Sequence, residues 1–243
     1  MPNFTKATTD RGPVFGVDGA HVFIDQSDDI MARAIPVLDS ATEAAQAAAA
    51  TYLPDALAPA LARVLAPVLG AAGGMIDAAR RDAQEHAERA VFMTTPVSAT
   101  AEKAERFGTE IRALSRAAKP ADREVKVRTA SATEAAALLA LPEAAGLTSD
   151  QVETLRERAM VVHHIERAGL TAGRGIRPTA ERLTGVGVDQ AAVEADAQAA
   201  VDQFYAKGAL IDEREGQLQN LVRWIGAGLG VPATAALDMV LDA

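Results

Sequence analysis

The densest group of residues able to do chemistry is MVVHHIERAGLTAGRGIRP, Met160–Pro178. His163, His164 and Glu166 suggest metal ligation, and Arg174 and Arg177 among glycines suggest an anion site. Neighbours on a helix point about 100° apart, so His163 and His164 do not grip one ion. His163 and Glu166 share a face. They supply two ligands, whereas a protein zinc site takes three or four. Histidines near a helix C-terminus also suit its negative end. That is the reading adopted, with no metal and no cofactor expected. A phosphate loop needs GxxxxGK followed by Ser or Thr after a strand, and Gly173–Arg177 has neither. Gly185-Val186-Gly187 lacks the strand and third glycine of a dinucleotide site. Arg174 and Arg177 remain candidates for an anion or carboxylate contact.

The carboxylate pairs Asp28-Asp29 and Glu213/Glu215 fall at helix starts or on polar faces, without the asymmetric surroundings that separate an acid from a base. No GxSxG elbow presents a serine nucleophile. Cysteine is absent, which removes disulfides, thiolate catalysis and Cys-ligated zinc. No catalytic residue is assigned and no enzyme is expected. The basic cluster Arg112, Arg116, Lys119, Arg123, Lys126 and Arg128 is diluted by Glu110, Asp122 and Glu124. With a net charge of −9 and a pI near 5.0, it reads as a solvated face, so general nucleic-acid binding is not expected.

The elements that must position these residues are built from small side chains. Of 243 residues 55 are alanine, while Leu, Ile, Val and Phe together make about 23 %, near the lower limit for a self-sufficient core. Alanine strongly favours helix, yet burying its methyl group contributes little. The fold class that follows is mainly α: an elongated multi-helix bundle with a short N-terminal β-hairpin arm, part of its burial supplied by other subunits.

The arm is VFGVDGAHVFI, Val14–Ile24. Asp18-Gly19 supplies the positive φ angles of a two-residue hairpin turn. A lone hairpin is marginal in water. One candidate third strand is 123–129, REVKVRT, where Val125 and Val127 alternate with charged residues; an extended linker is the other reading. Bare, the apolar hairpin would be an adhesive edge. Val14, Phe15, Val17, Val22, Phe23 and Ile24 are therefore assigned to docking on a neighbouring subunit.

Helices are expected from Ser27 to Ala50 with a kink or break at Pro36, from Pro54 towards Phe92, and over Ala99–Ala118. Thr148 and Gln151 form a capping box for a helix ending at Gly169, with Ile165 and Leu170 in contact. Pro178 begins a short helix. Asp189–Ala206, Ala209–Ile225 and Ala233–Leu241 follow. The division expected is 1–25 hairpin arm, 26–118 alanine-rich long helices, 119–147 linker and short helix, and 148–243 C-terminal helical domain.

Ala56–Ile76 matches one hydrocarbon thickness, about 31 Å at about 1.5 Å per residue. Arg63 near its centre and two prolines oppose insertion. Leu57, Leu61, Leu65 and Leu69 recur every four residues, an apolar stripe suited to helix packing. These leucines are assigned to contacts with partner helices, and membrane contact is the less favoured reading. The N-terminal stretch MPNFTKATTDRGPV has no apolar core following Lys6, so no secretory signal is expected. The function expected is a non-enzymatic helical structural protein that forms homo-oligomers and joins other proteins in a large assembly. A bacteriophage virion is its most concrete form, after synthesis in the cytoplasm. The alternative is a membrane-active or membrane-associated helical protein using residues 56–76.

Overall fold

The computed structural model describes residues 2–172, 174–176 and 186–243. Among them are eight α-helices, one 3-10 turn and a three-stranded antiparallel sheet at the N-terminus. The mainly α class with a short β element is what the chain adopts. It divides into two compact units, Met1–Glu85 with Gly208–Ala243, and His86–Lys207. Helices α2 (Pro54–Thr94) and α7 (Gln190–Leu229), 41 and 40 residues long, each contribute to both units. The compact units therefore do not follow the expected divisions, because their limits fall inside these two helices. A break expected near Gly208 is absent. One glycine costs a helix roughly 1 kcal/mol, which the alanine-rich flanks of α7 tolerate.

In the first unit the sheet runs β1 (Phe4–Thr9), β2 (Gly12–Val17), β3 (Ala20–Phe23). Phe4 pairs with Val17 and Thr9 with Gly12, while Val14 pairs with Phe23. Asp18 and Gly19 have φ of 47° and 85°, the turn their side chains imply. The third strand is β1 and not 123–129. Phe15, Val17, Val22 and Ile24 are all buried within the chain's own core, and Val14 and Phe23 are half-buried. This corrects the expectation of a free arm: the hairpin supplies the large side chains that the alanine-rich helices lack.

Helix α1 (Ile35–Thr51) ties to the sheet through Gln46, whose Nε2 donates to the Phe4 carbonyl at 2.9 Å. The α-helix starts at Ile35 after the 3-10 turn Met31–Ala34, with Pro36 in its first turn, where a proline lacks only an N–H that the helix leaves unused. The interruption expected at Pro36 is the start of α1. Leu57, Leu61, Leu65 and Leu69 of α2 lie in the same core as Leu38, Leu221, Trp224 and Ile225. Their assignment to partner contacts is corrected accordingly, because their own unit buries them. Helix α8 (Ala233–Leu241) turns back at 103° to α7. It lies close on α2 because Gly73 has no side chain: a Cβ there would stand 2.8 Å from the Val240 carbonyl oxygen.

The second unit contains α3 (Ser98–Ala117), α4 (Pro120–Thr129), α5 (Ala132–Ala140) and α6 (Ser149–Ala168) with segments of α2 and α7. Residues 123–129 are helical, against the strand or linker expected. Pro120 opens α4, Asp122 occupies its first turn, and Lys126 and Arg128 its last, a charge order that suits the helix dipole. Val127 is buried, but Val125 is 62 % exposed, so their alternation marks no sheet face. Arg123 donates to the carbonyls of Ser115, Arg116, Ala118 and Gly146, placing its charge on the orphan groups that end α3. The box of Thr148 and Gln151 is present, and Ser131 with Glu134 forms another. Gly169 closes α6 at φ 60°, with the Leu170 amide donating to Ile165 at 3.2 Å. Gly173, Arg177, Gly185 and the short helix expected at Pro178 lie outside the described residues.

Two measurements check this packing. Phe15→Ala should destabilise the first unit by about 3–5 kcal/mol, read by the fluorescence of Trp224, the chain's single tryptophan, and deleting residues 1–25 should abolish its cooperative melt. Thr148→Ala should cost about 1 kcal/mol, visible in helicity melts and silent in Trp224 fluorescence.

Candidate functional site

The described residues of the first unit enclose an open groove of about 390 Å³. One wall is α2, presenting Ile76, Ala79, Arg80 and Ala83. The opposite wall is α7, with Ile211, Leu218 and Val222, and α8 closes the end with Ala233, Thr234 and Leu237. Residues three and four apart share a helix face, so these spacings bring each set to one side. The small side chains of Ala79 and Ala83 leave the space open. The lining is mainly apolar, with Glu215, Gln219 and Arg223 at its polar edge.

Arg214 also lines the groove, with its side chain only 4 % exposed. Its Nε donates to Asp28 Oδ2 at 2.7 Å and its Nη1 to Asp82 Oδ2. The other oxygen of Asp28 accepts the Ile30 and Met31 amides at 2.9 and 3.2 Å, at the start of the 3-10 turn Met31–Ala34. Burial works against the guanidinium's charge. The hydrogen bonds and charges of Asp28 and Asp82 outweigh it, and the pKa of Arg214 is raised. Beside this triad Arg11 bridges Asp25 and Glu213. Hydrogen bonds from the Ser27 hydroxyl and amide, followed by that from Arg11, hold the Asp25 carboxyl below its usual range. Gln217 Oε1 accepts the Asp25 amide at 3.4 Å. The sheet, the 3-10 turn, α2 and α7 are thus locked together beneath the groove.

Of the residues first suspected of chemistry, His163, Glu166 and Arg174 have partners within the chain, while His164 is half-buried with its Nδ1 unpartnered among the described residues. His163 is 1 % exposed and its Nδ1 lies 3.1 Å from the Thr94 carbonyl, which places the ring proton on Nδ1 as a donor. Glu166 accepts the Thr100 hydroxyl at 2.8 Å, and Arg167 donates to the Thr95 carbonyl at 2.7 Å while stacking over Phe92. Together they clamp the junction between α2 and α3. Among the described residues no three His, Asp or Glu side chains are placed to hold a metal ion. Arg174 pairs with the carboxylate of Asp196 in its own chain. Arg177 lies outside the described residues.

The sequence reading missed Arg214, Asp82 and Gln217. Arg214 stands between two acids in IDEREG, Ile211–Gly216, which resembles an exposed charged face. The signal available was helical spacing: Ile211, Arg214, Leu218, Leu221 and Ile225 share one stripe, so the arginine falls in line with the core.

Comparison with known proteins found no matching family model, no similar curated protein and no similar solved structure.

Two predictions follow from these charges. Asp28→Ala strands half of a buried guanidinium and should destabilise the first unit by about 3–5 kcal/mol in Trp224-monitored denaturation. In the second unit, burial lowers the pKa of His163 below 6.5, against opposing contributions from Ala132, Glu166 and Thr94. The unfolded chain therefore binds a proton first as the pH falls. The stability linked to neutral His163 is complete above pH 6.5 and declines below it. Helicity melts should show a lower melting temperature at pH 5.5 than at pH 7.5, and His163→Gln should reduce that difference.

Proposed function

We propose that the chain is a non-enzymatic helical assembly protein that self-associates within a larger protein complex. The observation that carries this reading is the apolar groove of the first unit, which ends on a helix whose Leu237, Met239 and Leu241 are 38, 40 and 55 % exposed. Grooves of this kind receive the apolar face of an amphipathic helix. The polar lining is three arginines, one glutamate, one glutamine and one threonine. The second unit adds exposed Val91, Phe92, Phe107 and Leu114, further apolar surface for contacts with other proteins. A tailed-phage particle, the setting expected from the sequence, is one place for such a subunit.

The membrane reading draws on α2, which is long and apolar enough to cross a membrane, with a window of mean hydropathy 1.5. A third of that window is buried, and the leucine stripe lies in the unit's own core, so one face of α2 is committed to protein packing.

Static light scattering over a range of concentrations tests the proposal. A mass above that of the 25.3 kDa chain, rising with concentration, is the expected result, with no flotation on liposomes. A single 25.3 kDa species at every concentration contradicts it.

A further inference from the structure

We infer that the groove is filled by α8 of a second copy of this chain, the two copies exchanging α8 contacts about a two-fold axis. This rests on the self-association reading and names its surface. Helix α8 is apolar on two sides. Ala236 and Val240 are buried in its own core, while Leu237 and Leu241, one turn apart, point outward. The outward pair has the spacing that a helix presents to a receiving groove. Leu237 also forms part of that groove. Ridge and receptor are therefore neighbouring parts of one surface, as a self-complementary two-fold interface requires.

Charge selects the same occupant. Asp238 and Asp242 each follow one of the outward leucines, are exposed, and have no ion pair among the described residues. At the mouth of the groove Arg80 and Arg223 are exposed and without a carboxylate partner among the described residues, Arg223 donating only to Asn220 at 3.1 Å. Glu215, the acid of the lining, accepts the Gln219 amide at 3.0 Å. An incoming α8 brings two leucines to an apolar trough and two aspartates to two unpaired arginines. The two-fold operation repeats this on the other copy, so neither patch stays bare. A foreign acidic helix or a fatty carboxylate would fill the groove and leave the Leu237 and Leu241 ridge only partly covered.

The test uses two full-length variants. In one the groove is reversed, Arg80→Glu with Arg223→Glu; in the other the helix is reversed, Asp238→Arg with Asp242→Arg. Each alone sets like charge against like and should weaken self-association by about tenfold or more in sedimentation equilibrium. Mixed in equal amounts, the two variants restore opposite charges at both halves of the interface and should form a heterodimer of near wild-type affinity. Reversing Lys103 and Arg106 on the exposed face of α3 changes the net charge equally and should leave association unchanged. Trp224-monitored melting establishes that the groove and α8 variants are folded, and helicity melting does so for the α3 variant. If the wild-type chain associates and both variants associate as well, another surface carries the contact and this inference fails while the assembly reading stands. Weakening without recovery on mixing overturns the pairing of α8 with the groove. A wild-type chain that stays monomeric and binds oleate in the groove overturns both.

Discussion

A guanidinium almost withdrawn from water is the constraint on which the first unit depends. Removing such a charge from solvent costs several kcal/mol, and only well-placed carboxylates return it. Arg214 finds Asp28 186 positions away in the chain and Asp82 132 positions away. The segment after the sheet, the middle of α2 and the middle of α7 must therefore reach one point in one register. A shift of either helix by a single residue turns the arginine about 100° from its partners. Buried ion pairs are poor sources of net stability, and an apolar triad of the same shape would hold the unit as well or better. What this one contributes is register, and the walls of the groove inherit it.

The core around this point solves a problem of material. Many helix positions facing it are alanine: Ala34, Ala41, Ala45, Ala48 and Ala72 are all buried. Small faces let helices approach closely but remove little apolar area from water. The missing volume comes from Phe4, Phe15, Val22 and Ile24 of the sheet, with Trp224 set edge-on to Phe4 at 5.8 Å between ring centres. A scarcity of large residues in the sequence suggested burial by other subunits. Within the first unit the chain's own sheet meets that need, and the large apolar side chains left exposed are Leu237, Met239 and Leu241 of α8 with Tyr52 and Leu53.

What could be read from the sequence was what local chemistry decides. The Asp18-Gly19 turn, the capping box at Thr148, the glycine stop at Gly169 and the bounds of α8 each depend on a few adjacent residues. Strand β1 was missed because only Phe4 of FTKATT is buried, leaving no alternation to detect. Its β-branched threonines and the tight link to Gly12 were the available signal. Residues 123–129 misled in the opposite way, their valines alternating while a proline start and a basic end specify a helix. The groove depends on contacts across more than 130 positions, and no local pattern encodes those. Its floor was hidden because a buried arginine between two glutamates looks like a solvated one.

Hydrogen exchange at increasing protein concentration tests the account most directly, since it reads the proposed surface and the rest of the fold at once. Amides of Ala233–Leu241 and of residues 211–223 should exchange about tenfold more slowly in concentrated than in dilute solution, as association shields them from local opening. Those of α4 and α5, which belong to the second unit, should not change. Exchange of α8 that is the same at every concentration, in a chain that nonetheless assembles, would contradict the account.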